Sequence, residues 1–291
     1  MKITQNYSRI IVGTMTWGSW GKNLSTAEID KLIHHCLNVG ITTFDHADIY
    51  GGYTNEAMFG AAFANSGVSR ENLQLITKCG IQYVCDAREA KIGHYQYNKE
   101  YIIESVHQSL KNLKTDYIDF LLLHRPSPLM HPLEISEAIY QLKSQGKIID
   151  FGVSNFTPSQ IQMIETVVPV AGNQVEFSLT QNTVMYDGTL DDCITNKRMA
   201  MAWSSLGSYF KETNEQTKRI KDSLNQLTKK YNATEDQLLL AWVLKHPANV
   251  HPVVGTATPE RIAASVNALD IKLELEDWFV LLKASQGHPV P

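Results

Sequence analysis

The chain has 291 residues, 43% hydrophobic and 19% charged, enough apolar material for one large core or two average ones. Its formal charge of −4, without long runs of like charge, argues against a nucleic-acid or membrane-surface protein. Four cysteines (Cys36, Cys79, Cys85, Cys193) lack CxxC spacing, the start "MKITQNYSRI" has no apolar signal core, and no apolar run approaches ~18 residues, so a cytoplasmic protein with free thiols is expected.

In chain order, short apolar and β-branched runs occur at 9–13, 41–44, 73–78, 118–124, 148–154, 173–178, 199–204 and 250–255. Helical spacing fills the intervals, as in Ile103, Val106, Leu110 and Leu113, and in Ile135, Ile139 and Leu142. Thr157-Pro158 and Thr258-Pro259 suit helix starts, and Gly146 suits a helix end. Repeated strand–helix alternation implies parallel strands with right-handed crossovers, and eight such units close most simply into a (β/α)₈ barrel. An open doubly wound sheet is the rival, but "GTMTWG" at 13–18 does not read G-x-G-x-x-G. With no Pro- or Gly-rich linker, residues 1–291 are expected to form a single domain. Residues 81–97 make a long connection of the kind that is often functional. Leu275, Trp278, Phe279 and Leu282 mark an extra C-terminal helix.

In a parallel barrel the chemistry gathers where the strands end. Those ends carry Asp45 (with Tyr50 just beyond), Lys78, His124, Ser154-Asn155, Glu176, Ser204-Ser205 and Gly255-Thr256. The stretch "FDHADIYGGYTNE" (44–56) offers a metal reading, but adjacent residues leaving a strand point to opposite faces, so Asp45 and His46 do not readily share an ion, and no metal is expected. A proton-transfer site explains more of these residues. A tyrosine of ordinary pKa about 10 donates poorly at neutral pH. An ammonium ~4 Å away, at an effective dielectric of ~20, favours the phenolate by about 4 kcal/mol, roughly three pKa units. Asp45 then holds Lys78, and His124 donates to the carbonyl oxygen that Tyr50 protonates. Plain alternatives stay open: Asp45 as a helix cap, Lys78 in a salt bridge or as a Schiff-base nucleophile, His124 and Tyr50 as packing, His46 and Cys79 as buried fillers, and Asp48 as a cap on its turn.

The motifs "SRIIVGTMTWG", "FDHADIYG", "LITKCG", "TDYIDFLLLHRP", "GKIIDFGVSNF", "NQVEFSL", "WSSLG" and "PVVGTATPERI" occur in order along nearly the whole chain, which on them resembles the aldo-keto reductases, closest to a bacterial oxidoreductase branch. The resemblance implies an α/β (β/α)₈ TIM barrel with an N-terminal β-hairpin and the extra C-terminal helix. It implies reversible reduction of aldehydes or ketones, with NADPH preferred and NADH as the second nucleotide. Tyr50 is then the general acid, Lys78 its pKa tuner, Asp45 the partner of Lys78, and His124 the carbonyl orienter. Ser154, Asn155 and Gln174 would hold the nicotinamide carboxamide, Trp203 would stack on the ring, and Gly13, Thr14 and Met15 would line its side of the mouth together with Asp45. Ser204, Leu206 and Gly207 would line the pyrophosphate. Gly255 and Thr256 stand where many members have lysine and serine, which leaves Thr256, Thr258 and Arg261 for a 2′-phosphate and weakens the NADPH preference. Ser265 falls among the adenine contacts.

The substrate site is expected at Trp17, Trp20, Tyr50, Tyr83 and His124, with Tyr95 and Tyr209 nearby. Such aromatic lining suits uncharged carbonyl compounds and loose selectivity. The partner is then a small carbonyl molecule, neither nucleic acid nor membrane, and the chain a monomer or weak homo-oligomer. The alternative is a regulatory subunit that senses NADPH and turns over slowly.

Overall fold

The computed structural model describes residues 5–289. Eight parallel strands close a barrel: β1 (Ile11–Gly13), β2 (Thr43–Asp45), β3 (Gln74–Cys79), β4 (Ile118–Leu123), β5 (Ile148–Ser154), β6 (Gly172–Glu176), β7 (Met199–Trp203) and β8 (His251–Val254). Each pairs with its neighbours in sequence and β8 returns to β1, so the eight expected runs are the eight staves. Their continuous burial is why they read as unbroken apolar runs rather than alternating ones. Ile11, Ile76, Phe120, Leu122, Met199, Met201 and Val253 fill the interior. Their neighbours along the strands face outward to helices such as Thr26–Asn38, Lys99–Leu113 and Pro132–Ser144.

The local signals act as their chemistry requires. Thr157 caps Pro158–Glu165 through a reciprocal box with Gln160, and Thr258 precedes Pro259–Asn267. Gly146, at φ +68°, follows the helix ending at Ser144. The extra C-terminal helix is Leu275–Gln286. Trp278 on it stacks on Trp242, with centroids 4.8 Å apart and planes 5° apart, and each indole N–H donates to the other's carbonyl at 3.1 and 3.0 Å. The expected N-terminal hairpin is not formed by residues 5–10, which contain no strand, and its remainder, 1–4, lies outside the described residues. Side chains dock this segment instead. Tyr7 donates to Asp119 O and Asp150 Oδ2, both at 3.0 Å, and Ser8 exchanges bonds with Thr43.

Residues 81–97 carry a small antiparallel ribbon, Ile81–Gln82 against His94–Tyr95. It begins at Gly80, whose φ of +117° and lack of a side chain let Tyr97 close over the end of β3; a Cβ there would lie 2.0 Å from the Tyr97 ring. No helix among the described residues is long and apolar enough to cross a membrane.

Candidate active site

Beyond Asp45 the chain keeps pairing with β3, since His46 N donates to Ile76 O at 2.8 Å and Asp48 N to Lys78 O at 3.0 Å. It then turns at Tyr50, where Gly51 and Gly52 both take positive φ. This delivers the Tyr50 hydroxyl to within 3.2 Å of Lys78 Nζ. The ammonium is 1% exposed and also donates to Asp45 Oδ1 at 2.7 Å, Asp45 Oδ2 at 2.8 Å and His46 O at 2.8 Å. Gln174 Nε2 reaches across the barrel to Asp45 Oδ1 at 2.8 Å. His124, held through its N–H to Cys79 O, sets its ring edge-on to Tyr50 with centroids 6.1 Å apart. Asp45, Tyr50, Lys78 and His124 therefore meet at one point of the mouth.

The electrostatics differ from expectation in one respect. Lys78 draws the Tyr50 pKa down, but burial is the larger effect, and the phenol is raised above its ordinary value. The resting site thus holds a protonated tyrosine. Burial also pulls Lys78 down, yet Asp45 and Tyr50 more than offset it, so the ammonium stays charged. Burial, with Lys78 and Arg125, holds His124 well below the usual histidine range, so its imidazole is neutral at neutral pH; its Nδ1 is buried without a partner among the described residues.

The expected cofactor residues divide into four groups, with Ser265 apart from them. Ser154, Asn155, Gln174 and Trp203 form one bonded set: Ser154 Oγ donates to Gln174 O at 2.9 Å, Asn155 Nδ2 to Ser154 Oγ at 2.8 Å, and Trp203 Nε1 to Asn155 Oδ1 at 3.0 Å. Gly13 and Thr14 continue from β1, with Thr14 Oγ1 bonded to Asp45 O and to His46 Nδ1, while Met15 is exposed. Past β7, Ser204 and Gly207 both take positive φ with Leu206 between them, and a Cβ on Gly207 would fall 1.9 Å from Thr180 Oγ1. Gly255 is exposed with open space around it, beside Thr256 and the helix start at Thr258; Arg261 is exposed on the first turn. Ser265 does not join them, being 5% exposed with its hydroxyl turned back to Arg261 O at 2.8 Å.

Of the expected aromatic lining, Trp20 and Tyr83 pack edge to face at 5.4 Å, and Trp20 stands 6.3 Å from Tyr50. Tyr95 is exposed on the ribbon. Trp17 and Tyr209 are corrections: Trp17 is 2% exposed in the core against Phe44 and Phe59, and Tyr209 is buried with Ile220 and Leu239. Their bulk and apolar surface suit burial better than a wet rim. His46 packs on Phe59 with its pKa lowered to about 3 by burial and Lys78. Among the described residues no group of three or more His, Cys, Asp or Glu side chains is arranged to hold a metal ion.

Two features were passed over. Arg125, beside His124, lies with its guanidinium 5.3 Å from the Trp203 ring centre. Asp48 caps its own turn as expected, accepting from Ile49 N at 2.7 Å, but it is also 5% exposed, and burial and Glu56 push its pKa up to about 8. No pattern in the sequence marks that burial. Unfolded, such a carboxyl titrates near pH 3.9. Between about pH 4 and pH 8 it keeps its proton only in the folded chain, so its contribution to stability falls as pH rises through that window. Asp48→Asn lacks this decline, and its stability relative to wild type is expected to rise by on the order of a few kcal/mol from pH 4 to pH 8. Urea unfolding across that range measures it; parallel profiles would show that Asp48 is ionised.

The fold agrees with the comparisons. The family model for the aldo/keto reductase family matches residues 9–283, and the chain belongs to that family. It is similar to the oxidoreductase YcsN of Bacillus subtilis strain 168, 45% identical over 98% of this chain and 96% of that one. The oxidoreductase YdhF of Escherichia coli K12 is 39% identical with the same coverages, and the 6-dehydroglucose reductase of Agrobacterium fabrum 34% identical over 97% and 96%. Among solved structures, the thermostable aldo-keto reductase Tm1743, in complex with the inhibitor epalrestat, superposes with a TM-score of 0.82 at 26% identity, covering 97% and 96% of the two chains. The protein is thus an NAD(P)H-dependent oxidoreductase of the kind whose general reaction is carbonyl reduction.

Proposed function

We propose that the chain, as one barrel unit, reduces aldehydes or ketones to alcohols with NADPH as preferred donor, Tyr50 delivering the proton. The observation that carries this reading is the buried contact of Lys78 Nζ with both Asp45 and the Tyr50 hydroxyl, beside a neutral His124. The residues present fit a dinucleotide: the side-chain-free cradle at Gly207, the partly exposed Trp203 indole, and the helix start at Thr258 beside Arg261. Trp203, Asn155 and Ser154 would hold the nicotinamide end, Ser204 to Gly207 the pyrophosphate, and Thr256, Thr258 and Arg261 the 2′-phosphate. When bound, the nucleotide supplies a hydride to the carbonyl carbon.

The protein's own part is positional and protic. His124 and Tyr50 hold the carbonyl oxygen at the mouth. As charge builds on that oxygen the Tyr50 proton moves to it, and Lys78, fixed by Asp45, stabilises the phenolate left behind. The relatives named for 6-dehydroglucose reduction support a hydroxylated carbonyl compound among the substrates. Initial rates of NADPH and NADH oxidation over a small panel of aldehydes and ketones test the reading. Turnover with a several-fold preference for NADPH is expected. Tight NADPH binding with no substrate reduced would favour the sensing role, and binding of neither nucleotide would end both.

A further inference from the structure

Several charged side chains of the barrel have ionic partners. Asp45 answers Lys78 inside the barrel, Arg70 is paired with Asp119 beneath it, and Arg198 with Glu165 and Asp192. Arg125, next to His124, has no carboxylate within salt-bridge distance and no side-chain hydrogen bond among the described residues. It is partly exposed, and its guanidinium lies over the Trp203 ring. Its charge nevertheless reaches the reacting groups, lowering the pKa of both Tyr50 and His124.

The backbone explains how this residue is fixed without its side chain. Tyr97 Oη donates to Arg125 O at 2.6 Å and accepts from Arg125 N at 3.1 Å, so the 81–97 connection clamps the main chain just past His124. The guanidinium is left over, a planar fork of five donors held against an aromatic face at the site's edge. Such a fork is satisfied by a pair of acceptor oxygens, bidentately. Glu176, an acidic residue at a strand end, makes no salt bridge to it and lines a cavity with Asn155, Phe156, Thr157 and Gln181.

We propose that Arg125 is a specificity-determining residue which receives paired acceptor oxygens on the substrate, carried at a distance from the carbonyl that Tyr50 and His124 hold. The substrates favoured are therefore carbonyl compounds with a second oxygen-rich group, a carboxylate above all, with vicinal hydroxyls as the uncharged source of the same pair. This rests on the carbonyl-reductase reading and replaces the expectation of a mouth suited mainly to uncharged, apolar compounds.

The test compares wild type with Arg125→Met, which keeps the apolar stem, on matched aldehydes: succinic semialdehyde against butanal, and glyceraldehyde against propanal. Within each pair the ratio of kcat/KM cancels any effect common to both substrates. In wild type the oxygen-rich member is expected to be favoured, and in Arg125→Met at least one of the two ratios should fall tenfold or more. A fall confined to the first pair assigns the site to carboxylates, and a fall in the second to hydroxylated compounds. Arg125→Lys, which keeps charge but loses the fork, should restore only part of it. Unchanged ratios with normal turnover would overturn the inference while leaving carbonyl reduction intact. Weakened NADPH binding at constant ratios would also overturn it, giving the guanidinium to the nucleotide. If wild type reduces none of the four aldehydes with either nucleotide, both readings fall together.

Discussion

Tyr50→Phe is expected to lower kcat for carbonyl reduction at least ~10²-fold while leaving NADPH affinity within a few-fold of wild type. The substitution removes the hydroxyl that accepts from Lys78 at 3.2 Å and keeps the ring that packs between Trp20 and His124, so loss of the proton donor is separated from loss of the wall. A pH profile sharpens the result. Because burial raises the Tyr50 pKa above its ordinary value of about 10, the acid form persists through the alkaline range, and reduction by wild type should not decline there through ionisation of Tyr50. Stopped-flow or steady-state NADPH oxidation, paired with fluorescence titration of nucleotide binding, gives both numbers. Equal loss of binding and turnover would mean that Tyr50 shapes the nucleotide site rather than supplying a proton.

The sequence disclosed the barrel because its strands are buried on both sides, so each appears as a compact apolar run, and because proline and threonine mark helix starts by local chemistry alone. The four groups at the mouth were legible for a similar reason: ionisable residues immediately after apolar runs stand out, and the barrel topology brings such ends together. What stayed hidden depends on competition between distant elements. The net direction of the Tyr50 shift is decided by how much protein covers the ring, which no spacing reports. Trp17 reads as an aromatic near the mouth until Phe44 and Phe59 are seen to enclose it. Arg125 was in plain view beside His124, but its lack of an ionic partner is a statement about every other carboxylate among the described residues.

Lys78→Met separates the two roles that one ammonium plays. Deep in the barrel, Asp45 is 2% exposed and takes two of its hydrogen bonds from Lys78 Nζ, leaving the Gln174 amide as its side-chain donor among the described residues when the lysine is lost. An uncompensated buried carboxylate costs about 3–5 kcal/mol, so the single variant should be much less stable than wild type. Its kcat should fall by ~10² or more as well, because Tyr50 loses the charge that stabilises its conjugate base. A loss of activity alone would therefore be ambiguous. The double variant Lys78→Met, Asp45→Asn resolves it, since it removes both charges together and leaves an amide beside a methionine of similar bulk. Most of the lost stability should return in urea unfolding, while turnover should stay low, because the ammonium bonded to the Tyr50 hydroxyl is then gone. If turnover returned with stability, the pair would be structural, and the means of activating Tyr50 would have to be sought in another positive charge that acts on it, Arg125.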